Sequence, residues 1–347
     1  MKLATFHNGT LDGRLVLVSR DLARASFADD IAPNLLRALE QWDELCDQLE
    51  QRYSLLNQDA VSSAFPFEPS AALAPLPRAP QWLDASAFPS HGERMVRAFN
   101  LPEDTLKVDR PLMYQGCSDS FLGAQAAVPL PSEEDGIDLE AELAVITAVV
   151  PMAAKPKECA DRIRLFALVN DVSLRNLLFA EMSLGFGMIH CKPTSVFSPV
   201  CVTPDELGRA WDSKRVHLTL RCRVNGRALG SLSGTEMRYS FGELVAHAAR
   251  TRFLAAGTVI GSGTFSNADA SRGVGCLAEA RALEKLSTGQ VSTQWLRFGD
   301  RIEIEMLDEN DQSIFGAIDH TFAQYDGQAS ENGERDQDQN RLTPIRS

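Results

Sequence analysis

Two glutamates lie two residues apart in a segment that otherwise has the composition of a buried strand, Asp138 to Ile146. Side chains alternate between the two faces of a strand, so Glu140 and Glu142 are predicted to share one face, which becomes apolar again at Ala144. Two carboxylates about 7 Å apart repel each other, and near a core such a pair requires a cation or a raised pKa. A hard divalent cation such as Mg²⁺ or Ca²⁺ is one interpretation, and a solvent-facing acidic edge is the other.

Two segments near predicted strands carry further groups suited to metal binding or acid–base chemistry. Asp84 and His91 lie seven residues apart, although a turn-capping aspartate and a surface histidine are the alternative interpretation. Asp171 follows the short apolar run 165–169, where the end of a buried strand would direct its carboxylate into a cleft. An N-cap for the following helix is an equally simple role for Asp171.

Two loops complete the candidate set. Lys192 lies between apolar residues after a glycine-containing segment, where it would pair with an anion or simply face solvent. Gly263 and Thr264 belong to a glycine-rich stretch that would offer backbone N–H groups to an anion or form an ordinary turn. Glu279 would orient a histidine or face solvent.

Composition excludes several functional classes. The chain has 347 residues and a net charge of −13, which argues against a nucleic-acid partner. Its seven cysteines are scattered and contain no CxxC pair, as expected for reduced thiols and not for disulfides or a zinc site. No stretch approaches the ~18 apolar residues of a membrane helix, and no signal-peptide pattern is present, so we expect a cytoplasmic protein without membrane contacts.

Changes in composition and hydrophobic periodicity along the chain indicate a small N-terminal domain and a larger second one. The patterns predict a hairpin over residues 2–18, an amphipathic helix over 33–53 and a Pro- and Ala-rich connection over 60–80. We therefore expect domains at residues 1–75 and 76–326, followed by a disordered polar tail at 327–347.

Strands dominate the second part without a regular βαβ rhythm, which favours a mixed, β-rich α+β fold. Asn225-Gly226 predicts a tight hairpin, and Ser240 with Glu243 predicts a capping box that opens a helix. A buried strand is expected at 258–261, and a late hairpin is expected to pair 301–307 with 313–318.

The order and spacing of these pieces resemble the fumarylacetoacetate hydrolase family from about Pro80 to Gln324. The resemblance implies a mixed β-sandwich roll of that family's type, with a small α+β N-terminal domain, and a homodimer. It implies a divalent cation, Mg²⁺ or Ca²⁺ with Mn²⁺ as a further candidate, held by four carboxylates: Asp84, Glu140, Glu142 and Asp171.

The same resemblance assigns the other site residues. His91 and Glu279 correspond to the pair that activates water, and Arg175 and Lys192 to cations near the substrate. Gly263 and Thr264 resemble the loop that contacts a substrate carboxylate, and Tyr114 resembles a substrate-facing tyrosine of longer members. Three departures from the animal fumarylacetoacetase of that family concern the substrate. The N-terminal part is shorter, the helix at 33–53 is unlike that enzyme's small barrel, and Leu177 and Leu178 follow the arginine where that enzyme has a polar residue.

The resemblance implies a keto or diketo acid substrate and hydrolysis of a C–C bond in a 1,3-diketo acid, with a water activated by His91 and a metal-held enolate as the leaving group. Decarboxylation, hydration or isomerisation of a related 2-keto acid on the same platform is the first alternative. A non-enzymatic, metal-stabilised binding protein is the second. The presence of both His91 and Glu279 favours hydrolysis.

Overall fold

The computed structural model describes residues 1–100 and 109–327. The tail predicted from residue 327 lies, except for Gly327 itself, outside the described residues. None of the described helices is both long enough and apolar enough to cross a bilayer.

The N-terminal part consists of two helices beside a small run of strands. Its elements are β1 (Lys2–Phe6), β2 (Arg14–Val18), β3 (Arg24–Phe27), α1 (Leu35–Glu40), α2 (Trp42–Asn57) and β4 (Phe65–Pro66). The predicted hairpin is confirmed, since β1 and β2 pair antiparallel. The prediction of a single helix over 33–53 is wrong. The backbone leaves the helical region at Gln41 (φ −118°, ψ 28°), which ends α1, and α2 begins at the next residue, Trp42.

The second part alternates strands with short helices. Its elements are β5 (Trp82–Ala85), α3 (Pro89–Phe99), β6 (Met113–Gly116), β7 (Val128–Leu130), β8 (Ile137–Asp138), β9 (Ala141–Thr147), α4 (Pro156–Ala160), β10 (Ile163–Asn170), β11 (Ser173–Leu174), α5 (Arg175–Leu184), β12 (Val196–Phe197), β13 (Cys201–Val202), β14 (Thr219–Val224), β15 (Arg227–Ser233), α6 (Phe241–Ala248), β16 (Val259–Gly261), α7 (Leu277–Thr288), β17 (Arg301–Leu307) and β18 (Ile318–Gln324).

Local signals located several of these elements. The Asn225-Gly226 turn joins β14 to β15, and Asn225 adopts the positive φ of 51° that such a turn requires. At the start of α6, the Ser240 hydroxyl accepts a hydrogen bond from the Glu243 N–H while the Glu243 carboxylate accepts from the Ser240 N–H. Both predictions are therefore confirmed.

The late hairpin was predicted with the wrong second strand. β17 pairs with β18, which begins at Ile318, whereas Ser313 forms only an isolated bridge to Leu307. Gly316 turns the chain at φ +70° against Pro199, and this turn separates the 313–315 segment from the strand that follows.

One long sheet runs through both parts of the chain. Within the described residues its strand order is β4-β3-β2-β1-β13-β10-β9-β16-β5-β6, with β12 pairing to β10. The pairs are antiparallel except for β16 with β5. Strand β1 joins the N-terminal strands to β13 by placing Lys2 opposite Val202 and Leu3 opposite Cys201.

A second sheet, in the order β15-β14-β17-β18-β7, packs against one face of the long sheet. Leu143 and Val145 of β9 belong to the core cluster that also contains residues of this second sheet. Ala144 and Ile146 belong to the cluster that includes α1 and α2 on the opposite face. The predicted alternation is confirmed, and the fold is α+β, β-rich, with two packed sheets.

Candidate metal and catalytic site

Four carboxylates from different segments converge at the ends of neighbouring strands. Asp84 is paired with Gly261 across β5 and β16, while Glu142 on β9 is paired with Val169 on β10. Together with Glu140 and Asp171 they offer carboxylate oxygens that all lie within 4.8 Å of one another, and all four residues are buried. The structure therefore brings together residues that are separated by up to 87 positions in the sequence.

The absence of a side chain at Gly261 allows two of these carboxylates to approach. A Cβ built at Gly261 would lie 2.2 Å from Asp84 Oδ1 and 3.1 Å from Glu142 Oε2. Because Gly261 is on the strand between β5 and β9, only a residue without Cβ leaves this space open.

The charge balance at this cluster fits a hard divalent cation. Both oxygens of Glu142 are buried, and no N–H or O–H of the described residues donates to them. Burial and then the Asp171 carboxylate raise the pKa of Asp84 to about 8, and burial and then Asp84 raise the pKa of Glu142 well above its usual value. Buried carboxylates without donors need a compensating cation, and an all-oxygen donor set suits Mg²⁺, Ca²⁺ or Mn²⁺.

Lys192 and Arg175 border the same cluster. The Lys192 ammonium donates to Glu140 Oε2 at 2.7 Å and to Asp171 Oδ2 at 2.6 Å. Arg175 donates from Nη2 to Glu140 Oε1 at 2.6 Å. Burial alone would raise the pKa of Glu140, but these two cations lower it below its usual value.

Asp171 receives two further hydrogen bonds. The Tyr114 hydroxyl donates to Asp171 Oδ2 at 2.5 Å, and the Ser195 hydroxyl donates to Oδ1 at 3.0 Å. The Tyr114 hydroxyl is thus directed at a carboxylate of the cluster, while its ring lines the cleft.

Gly263 and Thr264 follow strand β16 and lie beside this arrangement. The Gly263 N–H donates to Asp84 Oδ1 at 3.1 Å, so this residue orients a carboxylate of the cluster. Its φ of +79° and a virtual Cβ 2.2 Å from the Ala85 carbonyl oxygen leave room only for glycine. Thr264 lines the cleft.

A histidine–glutamate pair lies between helices α3 and α7. His91 Nδ1 is 3.2 Å from Glu279 Oε2, and Glu279 is fully buried. The other oxygen, Oε1, accepts hydrogen bonds from Ser266 and Arg94. Burial alone would raise the pKa of Glu279, but His91 and the donors on Oε1 lower it, so Glu279 is an anion that accepts from the His91 Nδ1–H.

Arg94 was missed by the sequence reasoning. Its guanidinium is buried, pairs with Glu279, and donates from Nη2 to the Asn267 carbonyl oxygen at 2.6 Å. The available signal was its position three residues after His91, which places both side chains on neighbouring positions of one helix face.

Asp138 was also left without a role, although it lies on the same strand segment as the two glutamates. Its carboxylate accepts from the Leu277 and Ala278 N–H groups at 2.7 and 2.9 Å, at the start of α7, and from Arg175 Nε at 2.8 Å. Asp138 therefore ties the helix that carries Glu279 to the arginine beside Glu140.

These groups open into one cleft of about 370 Å³. Asp84, His91, Tyr114, Glu140, Arg175, Lys192 and Thr264 all line it. The arrangement combines a site for a divalent cation, a histidine whose tautomer is fixed by Glu279, and the side-chain cations of Lys192 and Arg175. Such a set is suited to acid–base chemistry on an oxygen-rich substrate.

Comparison with known families is consistent with this geometry. The model described as "Fumarylacetoacetate (FAA) hydrolase C-terminal" matches residues 81–323, and "Fumarylacetoacetase N-terminal domain 2" matches residues 1–78. Together they span nearly all of the described chain.

Curated relatives include enzymes with different reactions. The chain is 27% identical over 219 residues to a 2,4-didehydro-3-deoxy-L-rhamnonate hydrolase of Sphingomonas sp. (strain SKA58), covering 58% of this chain and 70% of that protein. It is 26% identical over 157 residues to a mitochondrial oxaloacetate tautomerase of Xenopus laevis, covering 44% of this chain and 47% of the tautomerase. The match therefore spans about half of the tautomerase's length.

Solved structures show the same fold. A probable 2-hydroxyhepta-2,4-diene-1,7-dioate isomerase from Mycobacterium abscessus superposes with a TM-score of 0.64 at 19% identity, covering 94% of this chain and 98% of that one. Maleylpyruvate hydrolase from Sphingobium sp. SYK-6, in complex with manganese (II) ion and pyruvate, also gives a TM-score of 0.64, at 16% identity, covering 94% and 100%.

Proposed function

The chain belongs to the fumarylacetoacetate hydrolase family, and on that premise we propose that it is a metal-dependent hydrolase that cleaves a C–C bond in a 1,3-diketo acid. The known relatives include hydrolases, an isomerase and a tautomerase, so family membership alone does not select the reaction. The observation that carries the proposal is that His91, hydrogen-bonded to the buried Glu279, lines the same cleft as Asp84 and Glu140 of the carboxylate cluster.

In this proposal Asp84, Glu140, Glu142 and Asp171 hold the cation. The unpaired Glu142 oxygens and the space kept open by Gly261 support that assignment. When bound, Mg²⁺, Ca²⁺ or Mn²⁺ supplies Lewis-acid charge that favours build-up of negative charge on keto oxygens of the substrate.

His91 acts as the general base. Glu279 accepts a hydrogen bond from the Nδ1–H, so the lone pair of the neutral ring is on Nε2. Nε2 has no hydrogen-bond partner among the described residues and can take a proton from water. The resulting hydroxide adds to the distal carbonyl carbon. The C–C bond then breaks, and its electron pair stays with the fragment that carries the 2-keto acid group, which leaves as an enolate. The imidazolium returns the proton to the carbon of this fragment at which the bond was broken.

Two cations and a hydroxyl would bind the keto acid end of the substrate. Lys192 uses two of its three N–H donors on Glu140 and Asp171, so the third is available to an enolate oxygen. Arg175 uses Nε and Nη2 on Asp138 and Glu140, while its Nη1 has no partner among the described residues. Arg175 Nη1 and the Thr264 hydroxyl would fix the substrate carboxylate.

The proposal is tested by separating water activation from cation binding. Replacement His91→Ala should lower kcat on a 2,4-diketo acid by about 10²- to 10⁴-fold, because the general base is lost. Affinity for Mg²⁺ or Mn²⁺, measured by titration calorimetry, should stay the same. His7→Ala, at an exposed position, is the matched control. Full hydrolysis by the His91 variant would contradict the assignment.

Tautomerisation or decarboxylation of oxaloacetate is the second candidate, supported by the tautomerase relative. These reactions do not require activated water, so they predict that the wild-type protein processes oxaloacetate and leaves diketo acids intact. A panel of 2,4-diketo acids and oxaloacetate, each assayed with and without chelator, separates the candidates.

We also propose that residues 1–75 form a small N-terminal domain, that 76–326 form the catalytic domain, and that the protein is a cytoplasmic homodimer. The junction of the two family matches between residues 78 and 81 supports the division. Light scattering on the purified chain tests the dimer, because a monomer mass at micromolar concentration would contradict it.

A further inference from the structure

The walls of the cleft differ in character from its floor. The floor carries the carboxylates, Lys192 and Arg175, whereas the walls above it are apolar. Helix α3 contributes one set of wall residues, and helix α5 with the loop after it contributes the other. These residues are Met95, Val96, Leu178, Phe179, Met182 and Met188.

The apolar wall is open to the cleft. Phe179 is 47% exposed and Met182 is 51% exposed, although both are large apolar side chains. Phe179 is held in place by Phe99 at the end of α3, with ring centroids 6.1 Å apart. An apolar surface of this kind, continuous with a polar reaction centre, is characteristic of a ligand subsite.

Among the described residues that line the cleft, positive charge lies at the reaction centre. Among the described residues that line the cleft, the basic side chains are Arg175, Lys192 and His91, and each already contacts a carboxylate of the protein. A second carboxylate at the far end of a substrate would therefore meet methionine, leucine and phenylalanine side chains. Burying an anion there without a partner is unfavourable.

We propose that the substrates are 2,4-diketo acids whose acyl substituent is an uncharged hydrocarbon chain or ring. This inference rests on the proposed function and adds the substrate class. The keto acid end would lie at the cluster and the hydrocarbon along the α3–α5 wall. One water is consumed: its hydroxyl goes to the acyl carbon and its proton to the other carbon of the broken bond, which gives a hydrocarbon carboxylic acid and pyruvate.

The experiment compares substrates that differ only at the far end. We would measure kcat/KM with saturating Mn²⁺ for 2,4-dioxopentanoate, 2,4-dioxoheptanoate and 2,4-dioxononanoate, and for 2,4-dioxoheptanedioate, which ends in a carboxylate. Burial of each added methylene should raise kcat/KM by up to about fourfold until the wall is filled. The terminal carboxylate should lower it at least about tenfold relative to the hydrocarbon of the same length.

A charge placed on the wall should change the preference. Met182→Lys puts an ammonium beside the predicted hydrocarbon, so kcat/KM should fall for 2,4-dioxononanoate and rise for the dicarboxylate. Leu184→Lys is the matched control, because Leu184 is on the same helix, is 71% exposed and does not line the cleft. If Met182→Lys folds poorly by thermal melting, Met188→Lys makes the same test from the loop.

The outcomes separate the inference from the proposed function. Hydrolysis with no dependence on chain length, or with preference for the dicarboxylate, would overturn the inference and leave the proposed function standing. No hydrolysis of any diketo acid would overturn both. Increasing kcat/KM with chain length, together with reversal in Met182→Lys but not in Leu184→Lys, would support the assignment.

Discussion

Arg94 and Glu279 form a buried ion pair on the side of Glu279 opposite His91. The carboxylate is therefore shared, with Oε1 neutralised by Arg94 and Ser266 and Oε2 accepting from His91. Arg94 does not line the cleft, so we regard it as a positioning residue that acts through Glu279.

Replacement Arg94→Met should lower kcat about 10- to 100-fold, with a smaller change in KM, because Glu279 is left without its cation. Loss of the Arg94 guanidinium should also raise the pKa of Glu279, so the acid limb of the kcat–pH profile should move to higher pH. Arg94→Lys should restore part of the activity. Arg97→Met, on the exposed face of the same helix, is the control. A uniform loss of activity at every pH would indicate a purely structural role.

Gly261→Ala should weaken the proposed cation site. The added methyl would lie 2.2 Å from Asp84 Oδ1, so the two carboxylates must move apart. We expect about 100-fold lower affinity for Mn²⁺ by titration calorimetry. Gly9→Ala, where nothing lies within 4 Å and φ is +86°, measures the cost of an alanine at a glycine position away from the site. Unchanged Mn²⁺ affinity in Gly261→Ala would remove Asp84 from the ligand set.

Asp138→Asn should destabilise the fold and the catalytic arrangement together. The amide can replace only part of the hydrogen bonding to Arg175 and to the first turn of α7. We expect the free energy of unfolding to fall by about 2–4 kcal/mol in urea titration, with activity lost at temperatures where the variant is folded. Asp135→Asn, in the short 3₁₀ helix just before this strand, is the control. A loss of stability with full activity would mean that Asp138 does not position Glu279.

His320 should make the protein less stable in acid. Burial lowers its pKa to about 4, and its Nε2 lies 2.8 Å from the Asn170 amide nitrogen, which suits a neutral ring. The unfolded chain binds a proton near pH 6.5 and the folded chain only near pH 4, so stability is full above pH 6.5 and is lost as pH falls to 4. This group contributes up to about 3 kcal/mol to that loss.

The measurement is the slope of unfolding free energy against pH between 4 and 7. His320→Gln should flatten it, because the titrating ring is gone. His7→Gln, at an exposed position, is the matched control. Equal slopes in wild type and His320→Gln would show that another group causes the acid sensitivity.

Local patterns were sufficient for the features that depend on a few neighbouring residues. Alternation in 138–146 predicted that Glu140 and Glu142 share a face, and the structure agrees. The hairpin at Asn225 and the cap at Ser240 depend on side-chain and backbone contacts within a few residues, so they were also predicted.

Features that depend on the order of strands in the sheet could not be predicted from the amino-acid sequence. The approach of Asp84 to Glu142 requires β16 to lie between β5 and β9, and no local pattern specifies that order. The resemblance to a family supplied the four carboxylates of the site but not the order of the strands that carry them. For the same reason the role of Gly261 was not seen, and the strand that returns from β17 was placed a few residues too early.

Strand β1 has a consequence for attempts to shorten the chain. Without β1, the backbone N–H and C=O groups of Cys201 and Val202 on β13 would lose their partners. Strand β13 would then become an unpaired edge of the remaining sheet. Such an edge is a template for strands of other molecules, so a truncated catalytic portion would be prone to aggregation. The N-terminal segment thus has a protective role that is independent of any chemistry in the cleft.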